Sequence, residues 1–312
     1  MATYKGIQGY TVQKLSSDPT ASAAGGQLWY NSTSGGKFKI SVAGAGAWAT
    51  GGNLNTARAS NSAAGNAPIT AGLTFLGEAP GGNTTATEKY DGSTWTTVNA
   101  ANTARRNLGG AGIQTAGLAF GGYDGANNNE SEEYDGTSWA EGHNLNTARR
   151  ELTGCGTQTA GLAYGGQITT HSALSEEYDG TCWAAGNPLN TARSEDPGGM
   201  GIQTAALWAG GNAGGNTAKV EEYDGTSWSE GNDMQEVKSN LAAAGTTGAA
   251  VVFGGNPASV NTETYDGTSW TEVANLATGR HNLAGCGTGS SALATAGNTP
   301  GNSAATEEWS IP

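Results

Sequence analysis

Four short runs recur along most of the chain, parted by Gly, Asp and Asn. One is small, apolar and continuous and ends in glycines: GLAFGG (117–122), GLAYGG (161–166), ALWAGG (206–211) and VVFGG (251–255). The next alternates polar and apolar positions and runs through a turn into a tryptophan. It reads EKYDGSTW (88–95), EEYDGTSW (132–139), EEYDGTCW (176–183), EEYDGTSW (221–228) and ETYDGTSW (263–270). Runs of this length, bounded by turn residues, predict strands. Asp-Gly between Tyr and Trp predicts a tight hairpin, because its backbone readily takes positive φ. No amphipathic helical pattern of useful length interrupts them.

The period is regular. Tyr90, Tyr134, Tyr178, Tyr223 and Tyr265 are spaced by 44, 44, 45 and 42 residues, and each Trp lies five residues after its Tyr. A polar joint ending in a base follows, as NLNTAR at 53–58 and 144–149 and LNTAR at 189–193. Such a period is the mark of a repeat architecture. Paired glycines, then Glu-x-Tyr-Asp-Gly, then Trp, then Arg resembles the Kelch repeat over residues 44–312. That resemblance implies one four-stranded blade of a β-propeller per repeat. The two ends set the number of blades. Trp48, in AGAWATGGNLNTAR, matches a fourth strand with no Tyr-Asp-Gly before it, and TEEWSIP places Trp309 in the Tyr position, 44 residues after Tyr265. Joining 44–50 to the blade that begins at Arg280 predicts an all-β, six-bladed propeller closed by an N-terminal strand, which removes exposed sheet edges. Three departures are expected to show locally. TFLGE (74–78) and LATAG (293–297) lack the glycine pair, and Pro197 falls in an inner strand, where a bulge or a displaced start is expected.

Composition fits repeated turns: Gly is 52 of 312 residues. The net charge of −13 argues against a phosphate backbone as partner, since that affinity comes from Lys and Arg. Cys155, Cys182 and Cys286 give no disulfide framework. Neither a signal peptide nor an 18-residue apolar run is visible, so synthesis in a host cytoplasm without membrane insertion is expected.

Six acids and six bases recur in register: Glu88, Glu132, Glu176, Glu221, Glu263 and Glu307 against Arg58, Arg105, Arg149, Arg193, Lys238 and Arg280. Residues that repeat in every blade maintain blades, whereas a catalytic centre needs asymmetry. Glu132, Tyr134, Trp139 and Arg149 in one repeat, and Glu176, Tyr178, Trp183 and Arg193 in the next, are therefore read as frame residues, the charged ones as ion pairs. His143, His171 and His281 fall in different blades, so no shared metal site is expected. Some Kelch-like propellers resemble galactose oxidase, a copper enzyme with two ligating histidines near a Tyr–Cys pair. That group is not offered here. The chain is expected to be non-enzymatic, with no cofactor.

Residues 1–43 stand outside the repeat. GQLWYNSTSGGKFKISV (26–42) predicts a hairpin, LWYN against KFKISV, behind a linker of small and polar residues, VQKLSSDPTASAAGG. Leu-Ser-Ser-Asp-Pro, then Gly-Gln-Leu-Trp-Tyr-Asn and Lys-Phe-Lys, resembles a short module of tail and fibre proteins of marine bacteriophages. That resemblance implies a virion structural protein, an oligomer in the particle, attached through residues 1–43 to other virion proteins and presenting its propeller to a host-surface glycan or protein. The alternatives are a capsid decoration protein and a bacterial carbohydrate-binding surface propeller. The Asp-Gly turns are nearly uniform, whereas the loops between second and third strands differ in every blade: YDGANNNE (123–130), QITTHSAL (167–174), NAGGNTAK (212–219), NPASV (256–260) and NTPGNSA (298–304). Binding is usually built on variable loops over a rigid frame. Tyr123, Asn127, Asn128 and His171 are the expected contacts, and their replacement by Ala is expected to leave the melting temperature nearly unchanged.

Overall fold

The computed structural model describes residues 46–65, 68–195 and 198–312, together with three earlier strands. Two compact units result, Met1–Gly46 with Ile311–Pro312, and Ala47–Ser310. In the first unit Leu28–Asn31 pairs antiparallel with Lys37–Ile40, the expected hairpin. Gln13–Leu15, read above as linker, adds a third strand parallel to Leu28–Asn31. The short Gln-Lys-Leu run gave too little alternation to mark a strand.

The second unit is a six-bladed β-propeller. Six four-stranded sheets are each antiparallel and ordered from axis to rim. In the sixth, the inner three strands, Ala284–Thr288, Ser291–Thr295 and Thr306–Ser310, come from the end of the propeller segment, and the outermost, Ala47–Thr50, comes from its beginning. Trp309 sits opposite Trp48 and Glu307 opposite Thr50, so the two ends of the ring are zipped into one sheet.

Composition follows radius. Inner strands such as Thr153–Thr157 and Ala242–Thr246 are rich in Gly or Ala because neighbouring blades converge on the axis. A Cβ at Gly154 would lie 2.3 Å from Phe120 Cζ of the preceding blade. Second strands are buried through four consecutive positions, as in Gly161–Tyr164, because blades cover both their faces. Third strands bury both the Glu and the aromatic two residues on, and outer strands bury only the Trp, which in blade six, as Trp48, is half-buried.

The glycine pair that ends the second strand has positive φ at both positions, 64° at Gly121 and 108° at Gly122. Blade one reaches the same path with Leu76 at 60° and Gly77 at 102°, and blade six with Ala296 at 63° and Gly297 at 102°. The two atypical repeats thus keep the backbone and carry its strain on a side chain-bearing residue. Pro197 lies outside the described residues; the inner strand of that blade is described from Gly198.

All six acid–base pairs are ion pairs within a blade. Glu88 meets Arg58 at 2.7 Å, Glu132 meets Arg105 at 2.8 Å, Glu221 meets Arg193 at 2.6 Å and Glu307 meets Arg280 at 3.1 Å, and Glu176 meets Arg149. Lys238 lies 3.6 Å from Glu263 and 3.3 Å from Glu236. The glutamate's second task is to hold the joint. The backbone N–H of Asn55, Asn102, Asn146, Asn190, Gln235 or Ala277 donates to it at 2.6–2.7 Å. Burial lowers the Arg58 guanidinium to about 10, opposed by the charge of Glu88, so the guanidinium keeps its proton near neutral pH.

Neighbouring blades are buttoned at the rim. The phenol of one blade donates to the second Glu of the blade before it: Tyr90 to Glu308 at 2.5 Å, Tyr223 to Glu177 at 2.5 Å, Tyr265 to Glu222 at 2.7 Å, and Tyr178 to Glu133. The indoles of Trp48, Trp95, Trp139 and Trp183 donate to Thr262, Thr306, Thr87 and Ser131 of the preceding blade. Where Lys89 replaces the glutamate, it lies over the Tyr134 ring at 5.2 Å and the phenol hydroxyl is buried without a partner. Where Thr264 replaces it, the facing aromatic is Trp309, which has no hydroxyl.

Two predictions follow from closure and buttoning. A fragment of residues 51–312 lacks the outer strand of blade six and is expected to expose a sheet edge and aggregate. Light scattering and a thermal melt check this, and a soluble, cooperatively melting fragment is the contrary result. Burial, and then Glu308 and Glu222, push the Tyr90 and Tyr265 phenols up to about 12. An unfolded phenol loses its proton near pH 10 while the folded one keeps it. The contribution of these phenols to stability is therefore fully present below about pH 10 and is lost as pH rises toward about 12. Melting temperatures from pH 9 to 12 are expected to fall more steeply in the native chain than in a Tyr90→Phe, Tyr265→Phe variant.

Candidate functional site

Antiparallel blades put the interblade joints and the variable second-to-third loops on one face and the Asp-Gly turns on the other. The turn face is engaged by its own residues. In Asp91, Asp135, Asp179, Asp224 and Asp266 one carboxylate oxygen accepts two backbone N–H groups at 2.7–2.8 Å. Those bonds hold all five carboxylates below the ordinary range.

On the loop face the residue after each base bridges to a loop of its own blade. Arg106 bridges Tyr123, Arg150 bridges Gln167, Ser194 bridges Asn212, Ser239 bridges Asn256 and His281 bridges Asn298, while in blade one Ala59 bridges Glu78. The next residue inward has positive φ in all six blades: Ser60 (51°), Asn107 (55°), Glu151 (54°), Glu195 (73°), Asn240 (51°) and Asn282 (53°). These residues join hands around the axis. The N–H groups of Ser60, Asn107, Glu151, Asn240 and Asn282 donate to the carbonyls of Asn282, Ser60, Asn107, Glu195 and Asn240 at 2.8–2.9 Å. The mouth of the ring is thus a belt of backbone hydrogen bonds, and the loops ride on it.

The four expected contacts separate on this frame. Asn127 is a clasp between blades: its amide donates to the carbonyls of Gln167 at 3.1 Å and Ile168 at 2.8 Å, and its oxygen accepts from Arg150 at 3.1 Å. Asn83, Asn216 and Asn302 clasp their next blades in the same way, through the carbonyls of Tyr123, Asn256 and Glu78. His171 takes that place in blade three, with Nδ1 2.9 Å from the Ser194 hydroxyl. Asn128 is 8% exposed, bound to Asp124 at 2.9 Å and to the N–H of Glu130 at 2.5 Å. Tyr123 opens on a cavity.

That cavity, of about 270 Å³, is lined by Arg106, Asn107, Tyr123, Arg150 and Glu151. The Arg106 and Arg150 guanidiniums lie 5.3 and 5.1 Å from the Tyr123 ring centre. Arg106 is fixed by Glu78 at 2.9 Å and Asn83 at 3.3 Å, and Arg150 by Gln167 at 2.8 Å and Asn127. Sequence reading passed over both arginines. The signal was the doubled base at 105–106 and 149–150, where the other joints carry one. A second cavity measures about 60 Å³ between inner-strand residues and the leucines just before them, Leu108, Leu152, Leu241 and Leu283. Burial raises the thiols of Cys155 and Cys286 to about 12, which keeps them protonated and inert. Among the described residues no group of three or more His, Cys, Asp or Glu is placed to hold a metal ion.

No family model matches the chain, and no curated protein matches it. The solved structure of YjhT is similar, with a TM-score of 0.68 and 14% identity over 82% of this chain and 95% of that one. At that identity the likeness is one of fold alone.

The clasp changes the expected outcome of mutation. Asn127→Ala removes three interblade bonds and is expected to cost about 1–2 kcal/mol, whereas Tyr123→Phe is expected to leave stability within about 0.5 kcal/mol. Urea unfolding of the two variants checks the contrast.

Proposed function

We propose that the chain is a non-enzymatic structural protein of a virus particle, a tail or fibre component made in the host cytoplasm, that presents a Kelch-like propeller for binding a host surface or a neighbouring subunit. The observation that carries this reading is the contrast between the two faces. The repeated charges are spent inside the blades, the turn face is uniform and self-satisfied, and sequence variety collects on loops that a hydrogen-bonded belt holds rigid. Such a frame suits binding, because little order has to be gained when a partner docks.

The motifs of the repeats and of residues 1–43 support the finer part of the reading. The glycine pair, Glu-x-Tyr-Asp-Gly, Trp and Arg recur in order as in Kelch repeats, and residues 1–43 resemble a tail and fibre module. On this reading residues 1–43 attach the propeller to another virion protein, several copies assemble in the particle, and the loop face points outward. Neither a cofactor nor nucleic acid takes part.

Antibodies raised against the propeller are expected to label purified particles and to slow their adsorption to host cells. Particles that carry none of the chain would overturn the reading. Limited proteolysis of intact particles checks the anchor: residues 1–43 are expected to be protected, and immediate trimming is the contrary result.

A further inference from the structure

We infer that the cavity between Arg106 and Arg150 is a binding site for a carboxylate-bearing sugar unit. The inference rests on reading the loop face as the binding face, and it names the ligand class there. Three observations carry it.

The first is broken symmetry. At the position after the repeated base, four blades carry Ala59, Ser194, Ser239 and His281, and two adjacent blades carry Arg106 and Arg150. The frame does not need an arginine there, since the same bridge forms with Ala or Ser. The second is preorganisation. Both guanidiniums are held, by Glu78 and Asn83 and by Gln167 and Asn127, and remain 33% and 32% exposed. Two planar forks lining one cavity fit a carboxylate, which such forks grip through paired N–H groups. The third is the rest of the lining. Asn107 Oδ1 is buried without a hydrogen-bond partner, and Glu151 presents a carboxylate 3.5 Å from Arg150 Nε. These are acceptors, and a ligand that brings hydroxyl donors beside its carboxylate satisfies them. Glu151 also opposes a doubly charged phosphate or sulfate more than a singly charged carboxylate. About 270 Å³ is small beside the roughly 300–1,000 Å³ of drug-sized sites and suits a single sugar unit.

Isothermal titration of the full chain with galacturonate, with oligogalacturonate and with neutral galactose oligomers of equal length tests the site. The acidic oligomer is expected to bind at least tenfold more tightly than the neutral one. Arg106→Gln and Arg150→Gln are each expected to lose at least tenfold, and Arg150→Lys to recover only part, because it keeps the charge and loses the fork. Galacturonate alone binding as well as the oligomer identifies a free sugar acid; a clear gain from the oligomer identifies a polysaccharide. Both support the site. Glu151→Gln retains both arginines and is expected to strengthen sulfate binding more than galacturonate binding. Equal affinity for neutral and acidic oligomers, binding indifferent to both arginines, no binding of any probe, or equally tight binding of polyglutamate through the same arginines would each overturn the inference. Labelling of purified particles by antibody is independent of all these outcomes, so the sugar site can fail while the virion reading stands.

Discussion

A carboxylate taken out of water must find a cation and donors, and every blade of this propeller meets that demand with one glutamate on its third strand. The base comes from the joint that leads into the same blade's inner strand, and so do the backbone N–H groups that fill the carboxylate's remaining capacity. One buried charge therefore fixes three things at once: the third strand, the start of the inner strand, and the path of the chain between blades. Such a pair adds little net stability over a well-packed apolar substitute, but removing one partner leaves an uncompensated buried charge at about 3–5 kcal/mol. The pair specifies where the joint lies. The belt of positive-φ residues begins two positions later, and the loop face is built on that belt.

Contacts between blades follow a different logic from contacts within them. Phenol–carboxylate and indole–hydroxyl bonds link each blade to the one before it, and they vary where the partner varies. Lys89 leaves Tyr134 without an acceptor, and Thr264 faces Trp309, which asks for none. Val220 offers no hydroxyl to Trp270, whose indole turns instead to the Asn232 carbonyl at 3.0 Å. The ring therefore tolerates loss of single buttons while keeping all six within-blade pairs. Blade-to-blade packing of aromatics carries the rest, as where Phe120 meets Trp183 at 5.0 Å and Phe75 meets Trp139 at 5.1 Å.

Much of this was legible in the sequence because a propeller repeats its chemistry at a fixed period. Blade number, the closing strand and the pairing of acids with bases each rest on positions that recur. What escaped reading depends on neighbours in space. Asn127 looked like a free polar loop residue, and only the position of the next blade's carbonyls makes it a clasp. Leu76 and Ala296 looked like breaks in the glycine pattern, yet the backbone path is kept and the residue bears the strain. The strand Gln13–Leu15 has three residues and no alternation long enough to read.

The candidate site escaped for a reason particular to repeat proteins. Attention goes to what recurs, and recurrence marks the frame. Arg106 and Arg150 stand beside repeated arginines and were absorbed into the motif, although each is a departure from it. In a ring of near-identical blades an asymmetric partner can only be recognised where the symmetry fails. The joint after blade one and the joint after blade two both fail in the same way, and Tyr123 lies within reach of both guanidiniums. Neither arginine is required by the bridge it makes, and both are braced by side chains from the loops around them. Arg106 is held by Glu78 and Arg150 by Gln167, Asn127 and Glu151, so both guanidiniums keep a fixed place beside Tyr123. Function in this chain is therefore best sought at that junction, where two adjacent blades depart together from the other four.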